Sequence, residues 1–201
     1  MGHIFYLMGK SASGKDSLFE LILSHDDINI SRLVIWTTRP RRTGEQEGME
    51  YHFTDVETML RMEKEGRIIE HRVYPSMEGP WHYFTADDAA PDLKNQDYLG
   101  IGTLESFQKL REWYGKDVVV PLYLEVEDGL RLYRALDRER HQEHPKYEEL
   151  CRRFLADQVD FSEEKLRQAG IDIRYENNED LEAGLMKLLV TIRNIRKGKR
   201  S

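Results

Sequence analysis

The sequence contains a single cysteine, Cys151, so it can form neither a disulfide within the chain nor a cysteine-rich zinc site. It has no apolar run of about 18 or more residues, and this absence predicts that no segment spans a membrane. The first ten residues lack the basic start and long apolar stretch of a secretory signal. These absences predict a protein of the reducing cytoplasm that makes no contact with a membrane.

An excess of positive charge is also missing, since 30 lysines and arginines are outnumbered by 37 aspartates and glutamates, for a net charge of −7. This balance predicts that nucleic acid is not a partner. The arginines nevertheless cluster at residues 39–42, 131–140 and 152–153. Clusters of this kind are typical either of solvated helix faces or of a site for a small polyanion, and the composition leaves both interpretations open.

Apolar runs alternate with amphipathic stretches along most of the 201 residues. This pattern predicts strands at residues 3–8, 33–36, 97–101, 118–126 and 171–175, and helices at residues 104–113, 129–137, 147–168 and 180–195. The alternation predicts an α/β fold with a parallel sheet between two layers of helices. Residues 39–85 are instead rich in glycine, proline, arginine and aromatic residues, with short β-like pieces around a helix at residues 56–65. We interpret this segment as a small inserted lobe.

A phosphate-binding motif lies between the first predicted strand and the helix that follows it. It fits GxxxxGK and comprises Gly9, Lys10, Ser11, Ala12, Ser13, Gly14, Lys15, Asp16 and Ser17. Small residues let consecutive backbone N–H groups form a nest for phosphate oxygens, and the helix adds the positive end of its dipole. The motif therefore predicts a nucleotide-binding loop in which Lys15 bridges the outer phosphates.

Asp16 occupies the position at which this motif normally has a serine or threonine that binds Mg²⁺. A carboxylate is a good ligand for Mg²⁺, so Asp16 is a candidate metal ligand, directly or through water. It is equally well explained as a carboxylate favoured by the dipole at the start of a helix.

The block TTRPRRTGE at residues 37–45, followed by GMEYHF at residues 48–53, resembles the acceptor-phosphate block of the guanylate kinase family. Members of this family are nucleoside monophosphate kinases with a phosphate loop. The resemblance implies that Arg39, Arg42 and Tyr51 hold the acceptor phosphate, and directed, charge-assisted hydrogen bonds from two guanidinium groups and a phenol suit a phosphate dianion. It also implies that Glu45 braces an arginine.

Three further acceptor residues are implied by the resemblance. Glu70 corresponds to a carboxylate against the guanine edge, Tyr83 to a second tyrosine that reaches the phosphate, and Thr85 to a residue that contacts the base. The alternatives are that Glu70 is an ordinary strand residue at the surface and that Tyr83 is a packed aromatic.

The lid and the donor site are also implied by the resemblance. With Lys15, the catalytic cations are Arg138 from the lid and Arg153 from the next helix, although Arg134, Arg140 and Arg152 are close enough in sequence to replace them. Asn178 corresponds to a residue that contacts the adenine of ATP, or is a simple helix cap. The resemblance divides a single domain into a core (residues 1–36 and 86–201), an acceptor-binding lobe (about 37–85) and a lid (about 137–147).

Three positions depart from the family pattern. Ile35 stands where the family has a serine that reads guanine, and Gly100 and Gly102 stand where it has two acidic residues. The loop sequence GKDS is similar to that of the ribose 1,5-bisphosphate phosphokinases, which share the fold.

The leading prediction is an ATP-dependent and Mg²⁺-dependent kinase, a monomer or homodimer, that converts a nucleoside monophosphate, GMP in the first place, to the diphosphate. Two alternatives stay open. One is a kinase for ribose 1,5-bisphosphate or a related sugar phosphate, and the other is a binding module without activity.

Overall fold

A computed structural model describes residues 2–76 and 79–198. The strands are β1 (Ile4–Gly9), β2 (Ser31–Arg32), β3 (Ile35–Thr37), β4 (Tyr51–Phe53), β5 (Ile68–Tyr74), β6 (Trp81–Ala86), β7 (Tyr98–Ile101), β8 (Val119–Glu125) and β9 (Arg174–Glu176). The helices are α1 (Lys15–Leu23), α2 (Val56–Lys64), α3 (Leu104–Tyr114), α4 (Asp128–Arg140), α5 (Tyr147–Asp160), α6 (Glu163–Gln168) and α7 (Leu181–Arg196). None of the helices within these ranges has the length and apolar character needed to cross a membrane.

The main sheet is parallel throughout and has the strand order β2-β7-β1-β8-β9. Its central strand β1 is buried at every residue, because each face of the sheet is covered. Phe5 and Leu7 pack on one face against α1 and α7, whereas Ile4 and Met8 pack on the other face with α3 and α6. The predicted α/β fold, a parallel sheet flanked by helices, is confirmed.

A second sheet has the order β4-β3-β6-β5, with β3 parallel to β4 and antiparallel to β6. Helix α2 covers it through Met59 and Met62, which pack against Phe84 and Ala86. The observed helix, Val56–Lys64, agrees closely with the helix predicted at residues 56–65. The run at residues 33–36, expected within the core, is different, because β3 pairs only with strands of this second sheet.

Two helical predictions need correction. The helix expected at residues 129–137 is longer, because α4 continues to Arg140. The helix expected at residues 147–168 is two helices, α5 and α6, because Phe161 turns inward to stack on Tyr123 and Ser162 caps α6 by accepting the backbone N–H of Lys165.

His71 on β5 and His82 on β6 form a coupled pair, with His71 Nε2 2.7 Å from His82 Nδ1. Burial lowers the pKa of His71, His82 lowers it further, and Glu63 on α2 and Glu70 on β5 oppose this shift. Because the pKa is depressed in the folded state, the stabilisation is complete above the ordinary value of 6.5 and is lost as the pH falls below it.

We therefore expect acidification from pH 7.5 to pH 5 to lower the Tm of the wild type more than that of His71→Gln. In a domain of this size each kcal/mol corresponds to about 2–4 °C. Thermal melts at the two pH values measure the difference, with His141→Gln as the matched control because His141 is exposed at the end of α4. Identical pH dependence in the wild type and His71→Gln would contradict this account.

Candidate functional site

The phosphate loop turns sharply between the end of β1 at Gly9 and the start of α1 at Lys15. Ala12 and Gly14 have positive φ angles of 60° and 85°, which curl the backbone. A Cβ atom on Gly9 would lie 2.8 Å from the Ser13 hydroxyl oxygen and 3.0 Å from the Leu124 carbonyl oxygen, so this position admits only glycine. Helix α1 begins without a side-chain cap. Its first backbone N–H groups are therefore available to an anion.

Arg131 of α4 holds the loop from behind, a contact that sequence reasoning missed. Its side chain is 1% exposed, donates to the Ser11 carbonyl oxygen at 3.0 Å and pairs with Asp128 at 2.6 Å. The carboxylate of Asp157, on α5, accepts the backbone N–H of Ser11 at 2.8 Å. The loop is thus fixed by a buried arginine and by the Asp157 carboxylate, although nothing in the sequence distinguishes Arg131 from other helix arginines.

Asn177, not Asn178, contacts the loop. Its buried amide donates to the Ser13 carbonyl oxygen at 2.8 Å, and its Oδ1 atom has no partner in the described part of the chain. Asn178 instead accepts the backbone N–H of Glu127 at 2.9 Å. The cap of α7 is Asp180, so the interpretation of Asn178 as a helix cap is wrong.

Lys15 and Asp16 lie at the start of α1, with Lys15 Nζ 3.8 Å from Asp16 Oδ2. The Asp16 side chain is 81% exposed. Within residues 2–76 and 79–198, no three histidine, cysteine, aspartate or glutamate side chains form a preassembled metal site. A lone carboxylate beside a phosphate loop fits Mg²⁺, which is usually held by one or two carboxylates together with substrate phosphates and water.

The predicted acceptor clamp is assembled around a buried arginine. Arg39, 3% exposed, donates from Nε to the Tyr83 hydroxyl at 3.1 Å and from Nη2 to Glu45 at 2.6 Å. The same carboxylate accepts the backbone N–H of Arg42 at 2.7 Å, which fixes the loop that carries this second arginine. Tyr83 therefore has a polar partner and is not merely a packed aromatic.

Charge and burial tune this clamp. The hydrogen bond to Glu45 raises the pKa of Arg39, and the same bond lowers the pKa of Glu45. Tyr51 packs edge-on against Tyr83, with ring centroids 5.6 Å apart, and burial raises the pKa of Tyr51. The phenol therefore stays protonated at neutral pH and can donate a hydrogen bond, while Arg39 stays charged.

Glu70 and Thr85 also come together. The Thr85 hydroxyl donates to Glu70 Oε1 at 2.7 Å, and Arg72 donates from Nε to Glu70 Oε2 at 3.0 Å. Glu70 is therefore a buried, ion-paired residue, and the interpretation of it as an ordinary surface residue is wrong. Sequence reasoning missed Arg72.

The predicted lid arginines have different surroundings. Arg138 is exposed and lines a 380 Å³ cavity with Asp16, Ser17 and Arg134. Arg153 is half-exposed and lies 3.6 Å from Glu149 on its own helix. The structure therefore brings Arg138, but not Arg153, to the cavity beside the phosphate loop.

Two larger cavities connect the loop with the second sheet. An 890 Å³ cleft is lined by Lys15 and Asp16 on one side and by Arg72 and Tyr74 on the other. A 510 Å³ cavity is lined by residues that include Tyr51 and Tyr83 of the clamp, and Arg72 and Tyr74 line it too. The phosphate loop and the clamp tyrosines thus line neighbouring cavities that share Arg72, Tyr74 and Ile101 in their walls.

The chain is similar to known guanylate kinases. Residues 2–78 match the sequence model of the family Guanylate kinase. The guanylate kinase of Zymomonas mobilis is 41% identical over 69 residues, which are 34% of this chain and 32% of that protein. The guanylate kinase of Sphingopyxis alaskensis is 40% identical over 144 residues, 65% of this chain and 60% of that protein.

The structural match is more extensive than these sequence matches. A crystal structure of the guanylate kinase of Anaplasma phagocytophilum superposes with a TM-score of 0.60 and 24% sequence identity, covering 96% of this chain and 86% of that one. The sequence matches span only about a third of several curated relatives, 32% of one and 36% of another. Residues 2–78 are therefore similar in sequence to the guanylate kinase family, and the fold of the chain is that of a guanylate kinase.

Proposed function

We propose that the protein transfers the terminal phosphoryl group of ATP to a small phosphorylated acceptor, with GMP as the first acceptor to test. The observation that carries the proposal is the pair of neighbouring cavities, with shared walls, that border the phosphate loop on one side and Tyr51 and Tyr83 of the clamp on the other. Phosphoryl transfer requires mainly that donor and acceptor are held in line and that cations meet the developing charge. The two sites supply such an arrangement.

On the donor side, the backbone N–H groups at the start of α1 bind phosphate oxygens of ATP, and Lys15 neutralises the outer phosphates. Mg²⁺, held by Asp16 and the phosphates, would add positive charge at the transferred group. Arg138 lies across the cavity from Asp16 and is the cation best placed to approach the phosphates from the lid.

On the acceptor side, Arg39, Arg42, Tyr51 and Tyr83 hold the acceptor phosphate. Glu45 positions both arginines, through the side chain of Arg39 and the backbone of Arg42. The name that the relatives share makes GMP the acceptor of first choice. In this proposal the lid and the acceptor-binding lobe form one domain with the core. The protein acts in the cytoplasm as a monomer or homodimer.

Ribose 1,5-bisphosphate is a second candidate acceptor. Ile35, which cannot hydrogen-bond through its side chain, lines the acceptor cavity, and Glu70 is already ion-paired. These two features of the site disfavour recognition of a base, whereas the phosphate clamp is intact.

The test is transfer of labelled phosphate from Mg-ATP to GMP, dGMP, IMP, AMP, UMP, CMP and ribose 1,5-bisphosphate. We expect Arg39→Met to raise the KM of the acceptor on the order of a hundredfold, because a charge-assisted contact is lost, with little change in the KM of ATP. Arg41→Met is the matched control, because Arg41 lies exposed in the same loop. Folded protein that transfers phosphate to no acceptor would overturn the proposal in favour of a binding module.

A further inference from the structure

The carboxylate of Glu70 is fully engaged within the protein. Its Oε1 atom accepts from Thr85 at 2.7 Å and from Arg72 Nη2 at 3.3 Å, and its Oε2 atom accepts from Arg72 Nε at 3.0 Å and from Ser106 at 3.1 Å. A carboxylate offers about four acceptor sites. Glu70 therefore has no acceptor site left for N–H groups of a ligand unless one of these donors is displaced.

No second carboxylate can enter this region from β7, because Tyr6 of β1 fills the space. A Cβ atom on Gly100 would lie 2.6 Å from the Tyr6 ring, and a Cβ atom on Gly102 would overlap the Tyr6 hydroxyl. The phenol is buried, and burial raises its pKa, so it is neutral at any physiological pH. The Tyr6 side chain therefore occupies the space that an acidic side chain at residue 100 or 102 would need, so the two glycines and the tyrosine depend on one another.

Arg72 is the charged group of this arrangement that faces the acceptor cavity. It lines both the 510 Å³ cavity and the 890 Å³ cleft, and its side chain is 19% exposed. Only its Nε and Nη2 atoms donate to Glu70, and Nη1 donates to no residue in the described part of the chain. A guanidinium group offers donors only.

Arg72 also lies close to the clamp. It is the cross-strand partner of Tyr83, whose hydroxyl binds Arg39. The acceptor cavity is thus lined by Arg72 and by Tyr83, whose hydroxyl group connects it to Arg39.

We propose that Arg72, held in place by Glu70, determines acceptor specificity by donating hydrogen bonds to the part of the acceptor that the phosphate clamp does not hold. The acceptor must then present hydrogen-bond-accepting atoms to Arg72. Two groups have this chemistry: the O6/N7 edge of a 6-oxopurine, which arginine binds with two hydrogen bonds, and a second phosphate. This inference rests on the proposed phosphoryl transfer and defines the class of substrate.

The wild-type acceptor profile is the first test. GMP and IMP share O6 and N7, so we expect their kcat/KM values to agree within about fivefold. AMP, which presents an amino group instead of O6, should be at least about a hundredfold poorer than the best acceptor. A kcat/KM for ribose 1,5-bisphosphate above the values for both GMP and IMP would identify a second phosphate as the group that Arg72 binds. A preference for GMP over IMP of a hundredfold would show that the 2-amino group is read, and would overturn the inference.

Substitution of the arginine is the second test. We expect Arg72→Met to lower kcat/KM for the preferred acceptor at least about thirtyfold and to compress the differences between acceptors, with the KM of ATP unchanged. Arg32→Met is the matched control, since Arg32 lines the same cavity but is paired with both oxygens of Glu20 at 2.8 Å. An unchanged acceptor profile in Arg72→Met contradicts the inference.

Two further measurements keep the test decisive. If Arg72→Met fails to fold, because Glu70 loses two donors, Arg72→Lys keeps the charge but loses the paired donors, and it should also flatten the acceptor profile. Calorimetric titration of the wild type and the variants with GMP, IMP and ribose 1,5-bisphosphate measures acceptor affinity independently of phosphoryl transfer. Transfer failing while Arg72-dependent binding persists would refute the proposed function alone, and binding indifferent to Arg72 would refute this inference alone.

Discussion

Lys15→Met is expected to lower kcat for phosphoryl transfer by about a hundredfold to a thousandfold, while the protein remains folded. The Lys15 side chain lines the 890 Å³ cleft beside the phosphate loop, where negative charge would develop during the proposed transfer. Methionine keeps most of the length of the side chain and removes the charge. Initial rates of ADP formation with saturating acceptor measure the effect.

Lys10→Met is the control for this substitution, because it removes the same charge from the same loop. The Lys10 ammonium is bound to Gln158 at 2.7 Å and lies 3.7 Å from Asp128, so it faces α5 and α4. We expect less than about a tenfold change in kcat. If the two variants lose activity equally, the contribution of Lys15 is a general effect of loop charge and not a contact with the transferred group.

Gly102→Ala is expected to destabilise the fold by about 1–3 kcal/mol or more. The added methyl group would overlap the hydroxyl of Tyr6, a residue that is buried in the core on one face of the main sheet. Because a packed interior yields little, either the backbone of β7 or the tyrosine ring has to move. Urea denaturation followed by tryptophan fluorescence gives the change in free energy of unfolding.

Tyr6→Phe separates this overlap from other effects of the added methyl group. Removing the hydroxyl oxygen leaves the nearest ring carbon 3.1 Å from the new methyl group, a close but milder contact. The double variant Tyr6→Phe/Gly102→Ala should therefore recover a large part of the stability that Gly102→Ala loses. Additive losses in the two single variants would show that the overlap is not the cause.

Local sequence patterns predicted much of the fold. The phosphate loop could be recognised because its glycines are required by the backbone itself, and the order of core strands and helices followed from hydrophobic periodicity. The resemblance of residues 37–45 to the guanylate kinase block implied that Glu45 braces an arginine, and the structure shows Glu45 paired with Arg39. Features set by neighbours in the sequence were therefore accessible.

Contacts between distant segments were not accessible in this way. Arg131 and Arg72 look like ordinary charged residues until the fold places a loop carbonyl or a buried carboxylate beside them. Tyr6 likewise looks like one apolar residue of a core strand, and only the pairing of β1 with β7 shows why Gly100 lacks a side chain. Strand β6 was missed because its partners β3 and β5 come from separate parts of the chain.

The buried contact between Arg131 and Ser11 restricts how the lid can move. It fastens the first turn of α4 to the phosphate loop, whereas Arg138 and Arg140 in the last turn of the same helix are exposed. Under the proposed function, in which residues 137–147 form a lid, any swing over the cavity would pivot beyond Arg134, which donates to the Asn177 carbonyl oxygen. The phosphate loop would then keep one shape while the lid moved, so nucleotide exchange and lid motion would be mechanically separate.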